Sequence, residues 1–148
     1  MKNNAEWFFS NDDKAQILAA IKNAENETSG EIRLFIEDTC NISTLDRAAQ
    51  IFETLEMHKT ALRNGVLFYL AVGSKKFAII GDAGINSKVP PNFWDEIKIN
   101  TLEAFAKEKF AEGLITGVSK AGLALKQYFP RSIDDINELP DDIVFGEN

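Results

Sequence analysis

Two short polar clusters carry the chemistry this chain can offer. One is Asn64-Gly65, preceded by Arg63; the other is Gly81-Asp82, followed by Ala83-Gly84. Between them lie the apolar run Val66–Val72, the turn Gly73-Ser74-Lys75-Lys76 and a second apolar run from Phe77. Two apolar runs around a short Gly-containing turn predict a β-hairpin, which folds the two polar clusters back against each other. A third cluster, Thr28-Ser29-Gly30-Glu31, stands at the start of another strand pattern. If that strand runs parallel to the first hairpin strand, Thr28, Ser29, Glu31, Asn64 and Asp82 collect at one sheet edge, with Arg63 and Thr60 nearby. Two carboxylates and several neutral oxygens suit a hard cation such as Ca²⁺, which takes about 6–8 oxygen ligands. Without a cation, each carboxylate raises the proton affinity of the other. The same residues also have purely structural uses: Ser29 and Asp82 can cap turns, and Asn64-Gly65 can shape a strand entry.

Better-known chemistries fail on spacing. Cys40 is the single cysteine, so it has no partner for a disulfide or a redox pair. It does not start a Cys-x5-Arg phosphatase loop either, because Asp46 stands where the arginine belongs. His58 is the single histidine and is expected at a helix C-terminus, where it opposes the helix dipole. No Gly-x-Ser-x-Gly elbow is present, and Gly81-Asp82-Ala83-Gly84 is neither a Walker loop nor a dinucleotide fingerprint.

The elements that position the edge follow from periodicity. Ser10 is a good N-cap for a helix over about 11–26, with Ile17, Leu18, Ile21 and Ala24 on one face. Glu31–Asp38 alternates polar and apolar, which predicts a strand with a partly open second face, nearer a sheet edge. Leu45, Ala48, Ala49, Phe52 and Leu55 form a helical stripe ending near Met57 or His58. Strand, helix, strand then gives a right-handed βαβ unit with parallel strands, and the hairpin adds an antiparallel third. After Val89-Pro90-Pro91-Asn92 comes a helix with Phe93, Trp94, Ile97, Leu102 and Phe105 on its buried face. Gly113 is expected to separate it from a last helix carrying Leu114 to Tyr128. Gly117 lies inside that helix, where it costs about 1 kcal/mol relative to Ala, so close helix–sheet packing is its expected reason.

At 148 residues the chain fits one domain. We expect a domain over 1–133 and an acidic tail over 134–148, extended or loosely docked, with Val144-Phe145 able to anchor it. The formal charge is −7, and the tail carries Asp134, Asp135, Glu138, Asp141, Asp142 and Glu147 with no basic residue. The body is therefore near neutral and shows no basic stripe, which argues against a nucleic-acid partner. The N-terminus lacks a signal-peptide core, and no run reaches the roughly 18 apolar residues of a membrane span. A soluble, cytoplasmic monomer without a membrane segment is expected, with an unidentified protein partner as the open question.

At the clusters named first, the chain resembles the TPM-domain family, which includes a thylakoid-lumen acid phosphatase, photosystem II repair factors and an acetylcholine-receptor regulator. The matching pieces are Thr28-Ser29-Gly30-Glu31-Ile32, Asn64-Gly65-Val66-Leu67, Ile80-Gly81-Asp82-Ala83-Gly84-Ile85, and Phe110-Ala111-Glu112-Gly113-Leu114 with Gly117. In this order they cover roughly residues 5–130. The resemblance implies a Rossmann-like α/β/α sandwich with a mixed sheet, in agreement with the element pattern. It also implies Ca²⁺ binding, with Glu31, Asn64 and Asp82 as ligands by position and Thr28, Ser29, Arg63, Gly65, Gly81 and Gly84 around them. A phosphatase activity is implied for some members only. The chain departs from the pattern at Asp82-Ala83, where many relatives have a single aromatic residue between two glycines. Three functions stand in order: a cation-binding module serving a partner, a metal-assisted phosphomonoesterase, and a scaffold that docks through its acidic tail.

Overall fold

The computed structural model describes residues 4–131 and 142–146. Its centre is a mixed four-stranded sheet in the order β3-β2-β1-β4, with β1 Glu31–Glu37, β2 Gly65–Ala71, β3 Lys76–Gly81 and β4 Val144–Phe145. Strands β1 and β2 are parallel, with Glu31 opposite Gly65 and Phe35 opposite Tyr69. Strand β3 returns antiparallel, with Val66 opposite Gly81. The βαβ unit and the hairpin therefore form as their apolar patterning predicts.

Helices cover both faces. Ile32, Leu34, Ile36, Val66, Phe68, Leu70, Phe77 and Ile79 pack beneath α1 Asn4–Phe8, α2 Asn11–Glu25, α5 Phe93–Ala106 and α6 Phe110–Tyr128. The opposite face, with Phe35, Leu67, Tyr69 and Ala78, packs against Ala48, Ile51 and Phe52 of α3 Thr44–Thr54. Ser10 caps α2 as its sequence position predicts, its hydroxyl accepting from the Asp13 amide at 3.0 Å. Gly117 is buried where α6 crosses the sheet: a Cβ there would lie 3.1 Å from the Phe68 ring and 3.1 Å from Thr101 Oγ1. Close packing is thus the reason for that glycine. Among the described residues no helix is long and apolar enough to cross a membrane.

Three expectations are corrected. Strand β1 does lie next to the sheet edge, paired by β4 at Phe35 and Ile36, but its second face is not open: all seven of its residues are buried. Where β4 does not reach, the Ile32 N–H donates instead to the carboxylate of Glu25 at 2.6 Å, so a buried side chain replaces the missing strand partner. Gly113 does not break the last helix. The break falls at Lys107–Lys109, where Glu108 takes a positive φ of 61°, and Gly113 sits inside α6 against Ala104. Leu45 and Leu102 are exposed rather than core residues, because the buried faces of their helices are completed by Ala48 and Ile51, and by Ile97 and Thr101. As expected, β3 ends at Gly81, and Asp82 then caps the one-turn helix α4, Ala83–Asn86. Of the acidic tail, residues 142–146 are described; Asp134, Asp135, Glu138, Asp141 and Glu147 lie outside the described residues.

Candidate functional site

The polar edge is divided in two by Gly65. On one side lie Glu31, Asn64 and Ser29; on the other lie Arg63 and Asp82. Glu31 is paired with Gly65 across β1–β2, and the Asp82 amide donates to the Gly65 carbonyl at 2.9 Å across β2–β3. Two strand spacings therefore separate the carboxylate-bearing backbones, about 10 Å. The intervening position is filled: a Cβ on Gly65 would stand 3.1 Å from the Met57 carbonyl and 3.6 Å from Met57 Cε. Met57 is fully buried. The five oxygen-bearing residues reach the same edge, with the backbones of Glu31 and Asp82 one on each side of Gly65.

On the first side, the Asn64 amide group donates to Ser29 Oγ at 3.3 Å, while its Oδ1 is buried and accepts no hydrogen bond among the described residues. Glu31 is buried beside it, 2% exposed. Thr28 is committed elsewhere. Its hydroxyl shares its one proton between the Leu125 carbonyl, at 2.9 Å, and that of Phe129, and it accepts from the Gly30 amide at 3.0 Å. Thr28 therefore ties the end of α6 to the start of β1 and leaves the polar site.

On the second side, Arg63 grips Asp82 with both arms of its guanidinium. Nε donates to Oδ2 at 2.7 Å and Nη2 to Oδ1 at 2.8 Å. Oδ1 also accepts from the Ala83 amide at 2.7 Å, so the carboxylate caps α4 while it pairs with arginine. The backbone makes this meeting possible. Arg63 has a positive φ of 53°, and its carbonyl accepts from the amide of Gly84 at 2.8 Å. The side chains are unequally exposed: that of Asp82 is 6% exposed and that of Arg63 is 53%. The hydrogen bond and charge of Asp82 hold the Arg63 pKa above its ordinary value. Behind them, Asn86 donates to the Gly81 carbonyl at 2.7 Å and accepts from the Trp94 indole at 2.7 Å, which fixes the β3–α4 corner.

The Arg63–Asp82 pair lines an open groove of about 380 Å³ with Glu53, His58, Phe52 and Ile80. His58 does not end the helix: α3 stops at Thr54, and His58 follows in the turns that lead to β2. The groove wall has two carboxylates against one guanidinium and includes no hydroxyl or thiol. Among the described residues no three of His, Cys, Asp and Glu are grouped to hold a metal ion.

A second polar constellation, at the other end of β1, was not evident in the sequence. Glu37 is fully buried and accepts from Arg47 Nε and Nη2, both at 2.8 Å, and from the Tyr69 hydroxyl. Arg47 belongs to α3, so the network pins the crossover helix to the two strands it connects. The Glu37 hydrogen bond holds the Arg47 pKa above its usual range. Burial, and then the hydrogen bond to Glu37, push the Tyr69 phenol above its ordinary value. A raised folded-state pKa means that the Tyr69 contribution is complete below about pH 10 and fades as pH rises toward the folded value. The stability advantage of the wild type over Tyr69→Phe, read from urea midpoints, should therefore hold up to about pH 10 and shrink above it. An advantage that grew above that pH would contradict the assignment.

The comparisons agree with this architecture. The model of the TPM domain matches residues 3–124. The chain is similar to the BA42 protein of the psychrophilic bacterium Bizionia argentinensis, solved by NMR, at 45% identity and a TM-score of 0.87, over 94% of this chain and 96% of that one. Two further NMR structures share the fold. One is the N-terminal domain of a protein from P.gingivalis (16% identity, TM-score 0.66, covering 82% and 78%). The other is the N-terminal domain of cg2496 from Corynebacterium glutamicum (15%, 0.63, covering 79% and 74%). No curated protein matches the chain significantly.

Proposed function

The chain belongs to the TPM-domain family, and from that premise we propose that it is a cation-responsive binding module in which the Asp82 carboxylate exchanges the Arg63 guanidinium for a divalent cation, Ca²⁺ in the first instance. One observation carries this reading: a nearly buried carboxylate is neutralised only by an arginine that is itself half exposed and borders a groove of net negative lining. Arg63 can leave toward water at little desolvation cost, while the Ala83 amide keeps Asp82 oriented. The bidentate geometry makes this pair stronger than an ordinary surface salt bridge, so a cation must outcompete two charge-assisted hydrogen bonds. Glu31 and Asn64 hold the neighbouring strand entry, and in this reading they act on the ion through the position of Gly65 and Asp82.

The residues fit a cation in part. Asp82 is an anionic oxygen ligand of the right hardness, and the other carboxylate of the groove lining is the exposed Glu53, so the ligand set is small. An affinity near millimolar is therefore expected, the weak end of protein calcium sites at about 10⁻⁴–10⁻³ M. In a calcium titration followed by amide NMR, Arg63, Asp82, Ala83 and Gly84 should shift, and Asp82→Asn should abolish those shifts. Shifts that survive Asp82→Asn, or that appear only near 28–31, would overturn the assignment to Asp82.

The phosphomonoesterase alternative rests on family resemblance, a weaker warrant than site chemistry. The groove lining has no hydroxyl or thiol; His58, Glu53 and Asp82 are the side chains there that could attack phosphorus or activate water. Aryl-phosphate turnover by pure protein that disappears both with chelator and in Asp82→Asn would favour that alternative.

A further inference from the structure

We propose that the outer edge of β3 takes up an extended segment of a partner protein, alternating apolar and basic residues, as a further strand of the sheet. Strand β3 is the outer strand in the order β3-β2-β1-β4. Its ladder to β2 is antiparallel, and in that register the Asp82 amide bonds the carbonyl of Gly65 directly opposite. Such mutual bonds recur at every second residue of an antiparallel pair. Ile80, Ala78 and Lys76 therefore bond inward to Leu67, Tyr69 and Ala71. Gly81, Ile79 and Phe77 turn their N–H and C=O groups outward. The Gly81 carbonyl is met by the Asn86 side chain at 2.7 Å. The N–H and C=O groups of Ile79 and Phe77 have no protein partner among the described residues. Their side chains belong to the core, so the backbone is what these two residues have left to offer.

Three features point to this partner. First, N–H and C=O groups repeating every second residue along one edge are matched by another extended backbone. Second, the edge lacks the usual guards. Strand β3 has no proline, and its one charged residue, Lys76, is held by the carbonyls of Cys40 and Ile42 at 3.0 and 3.2 Å. On the other side of the sheet, by contrast, β4 and the Glu25 carboxylate take up the outward groups of β1. Third, the two borders of the edge differ in chemistry. Helix α5 runs beside β3 from Trp94, next to Gly81, to Phe105, whose ring meets Phe77. Leu102 lies between them at helical spacing and is 39% exposed. On the α3 side lies the groove with Phe52 and Ile80, where the exposed Glu53 makes no ion pair among the described residues. Residues of an added strand that bond to Ile79 and Phe77 share their face and lie over α5; those between them lie over the groove. Apolar side chains suit the first set, and Lys or Arg opposite Glu53 suits the second. The pairing uses the β3 backbone and Glu53, so it goes beyond the cation reading of Asp82.

The test is an amide NMR titration of the full chain with a capped heptapeptide of alternating valine and arginine, valine at both ends. The Phe77 and Ile79 amides should shift, and their hydrogen exchange should slow about tenfold at saturation. The peptide N-methylated at its valines should bind at least tenfold more weakly, because those amides face β3. The peptide N-methylated at its arginines should bind as the parent does, because those amides point away. Glutamate in place of arginine should weaken binding about fivefold. Glu53→Lys should do the same to the arginine peptide, with its urea midpoint within experimental error, since that side chain is exposed. No binding at millimolar peptide, or equal binding of the two N-methylated peptides, would overturn strand addition. Binding indifferent to the glutamate peptide and to Glu53→Lys would overturn the basic half of the pattern. Self-association of the chain alone, with Ile79 already protected from exchange, would overturn the partner in favour of a second copy. The contrast between the two N-methylated peptides should persist in Asp82→Asn, where the calcium shifts are lost, so failure here and failure of the cation reading are distinguishable.

Discussion

Replacing Glu37 with alanine should cost about 3–5 kcal/mol, a large share of the roughly 5–15 kcal/mol that stabilises a domain. The carboxylate is fully buried and serves three donors, two from Arg47 and one from Tyr69. Its removal takes from the buried Tyr69 hydroxyl and from two Arg47 donors the acceptor they share, although the Arg47 side chain keeps 26% exposure. Arg47→Met should be severe for the reciprocal reason, because the charge of Glu37 would then lack its guanidinium. The triple replacement Glu37→Met, Arg47→Leu, Tyr69→Phe should recover most of the loss, since a buried charged network is often no better than apolar side chains of similar volume. Urea unfolding of the three proteins checks this. A single variant Glu37→Ala within about 1 kcal/mol of wild type would mean that the network is not a structural pin.

Gly84→Ala should be the most damaging change at the candidate site. A Cβ there would stand 2.0 Å from the Leu62 carbonyl oxygen and 2.6 Å from that of Arg63. Both are backbone atoms, so no rotamer change relieves the overlap, and α4 must move off the 62–63 turn. The expected cost is at the upper end of overpacking, about 3 kcal/mol or more. The movement also breaks the Gly84 amide bond to Arg63 and separates Arg63 from Asp82. Gly30→Ala is the informative control. Its Cβ would meet the Leu125 side chain at 2.6 Å, a group that can turn aside, so it should cost less. The measurement is the urea midpoint of both variants; a Gly84→Ala protein as stable as Gly30→Ala would contradict the contact.

The hairpin and the βαβ unit were legible because each rests on a local signal. Val66–Val72 is too apolar for a surface strand, Gly73-Ser74 supplies the turn, and the two periodicities do not overlap. The environment of Glu31–Glu37 was not legible. Alternation in EIRLFIE has the same form whether the polar face meets water or a buried guanidinium, and Arg47 arrives from another element. Tyr69 held the usable hint: a phenol in an otherwise apolar central strand needs a partner for its hydroxyl, and Glu37 lies two residues beyond its cross-strand neighbour Phe35. At the polar edge, topology correctly brought Glu31, Asn64 and Asp82 to one end of the sheet. It did not reveal that Gly65 and Met57 divide them. It also gave no sign of the left-handed backbone at Arg63 that brings that arginine onto Asp82. The expected oxygen cluster was a statement about strand ends, whereas ligand geometry is decided by side-chain directions within a few ångströms.

The central claim is that Arg63 competes with a cation for Asp82, and the Arg63→Met variant tests it most directly. Calcium affinity should be measured by amide shifts of Asp82, Ala83 and Gly84 in wild type and variant at equal ionic strength. With the competing guanidinium gone and the Ala83 cap intact, the variant should bind calcium about fivefold more tightly. An unchanged or weaker calcium response in Arg63→Met would contradict the account.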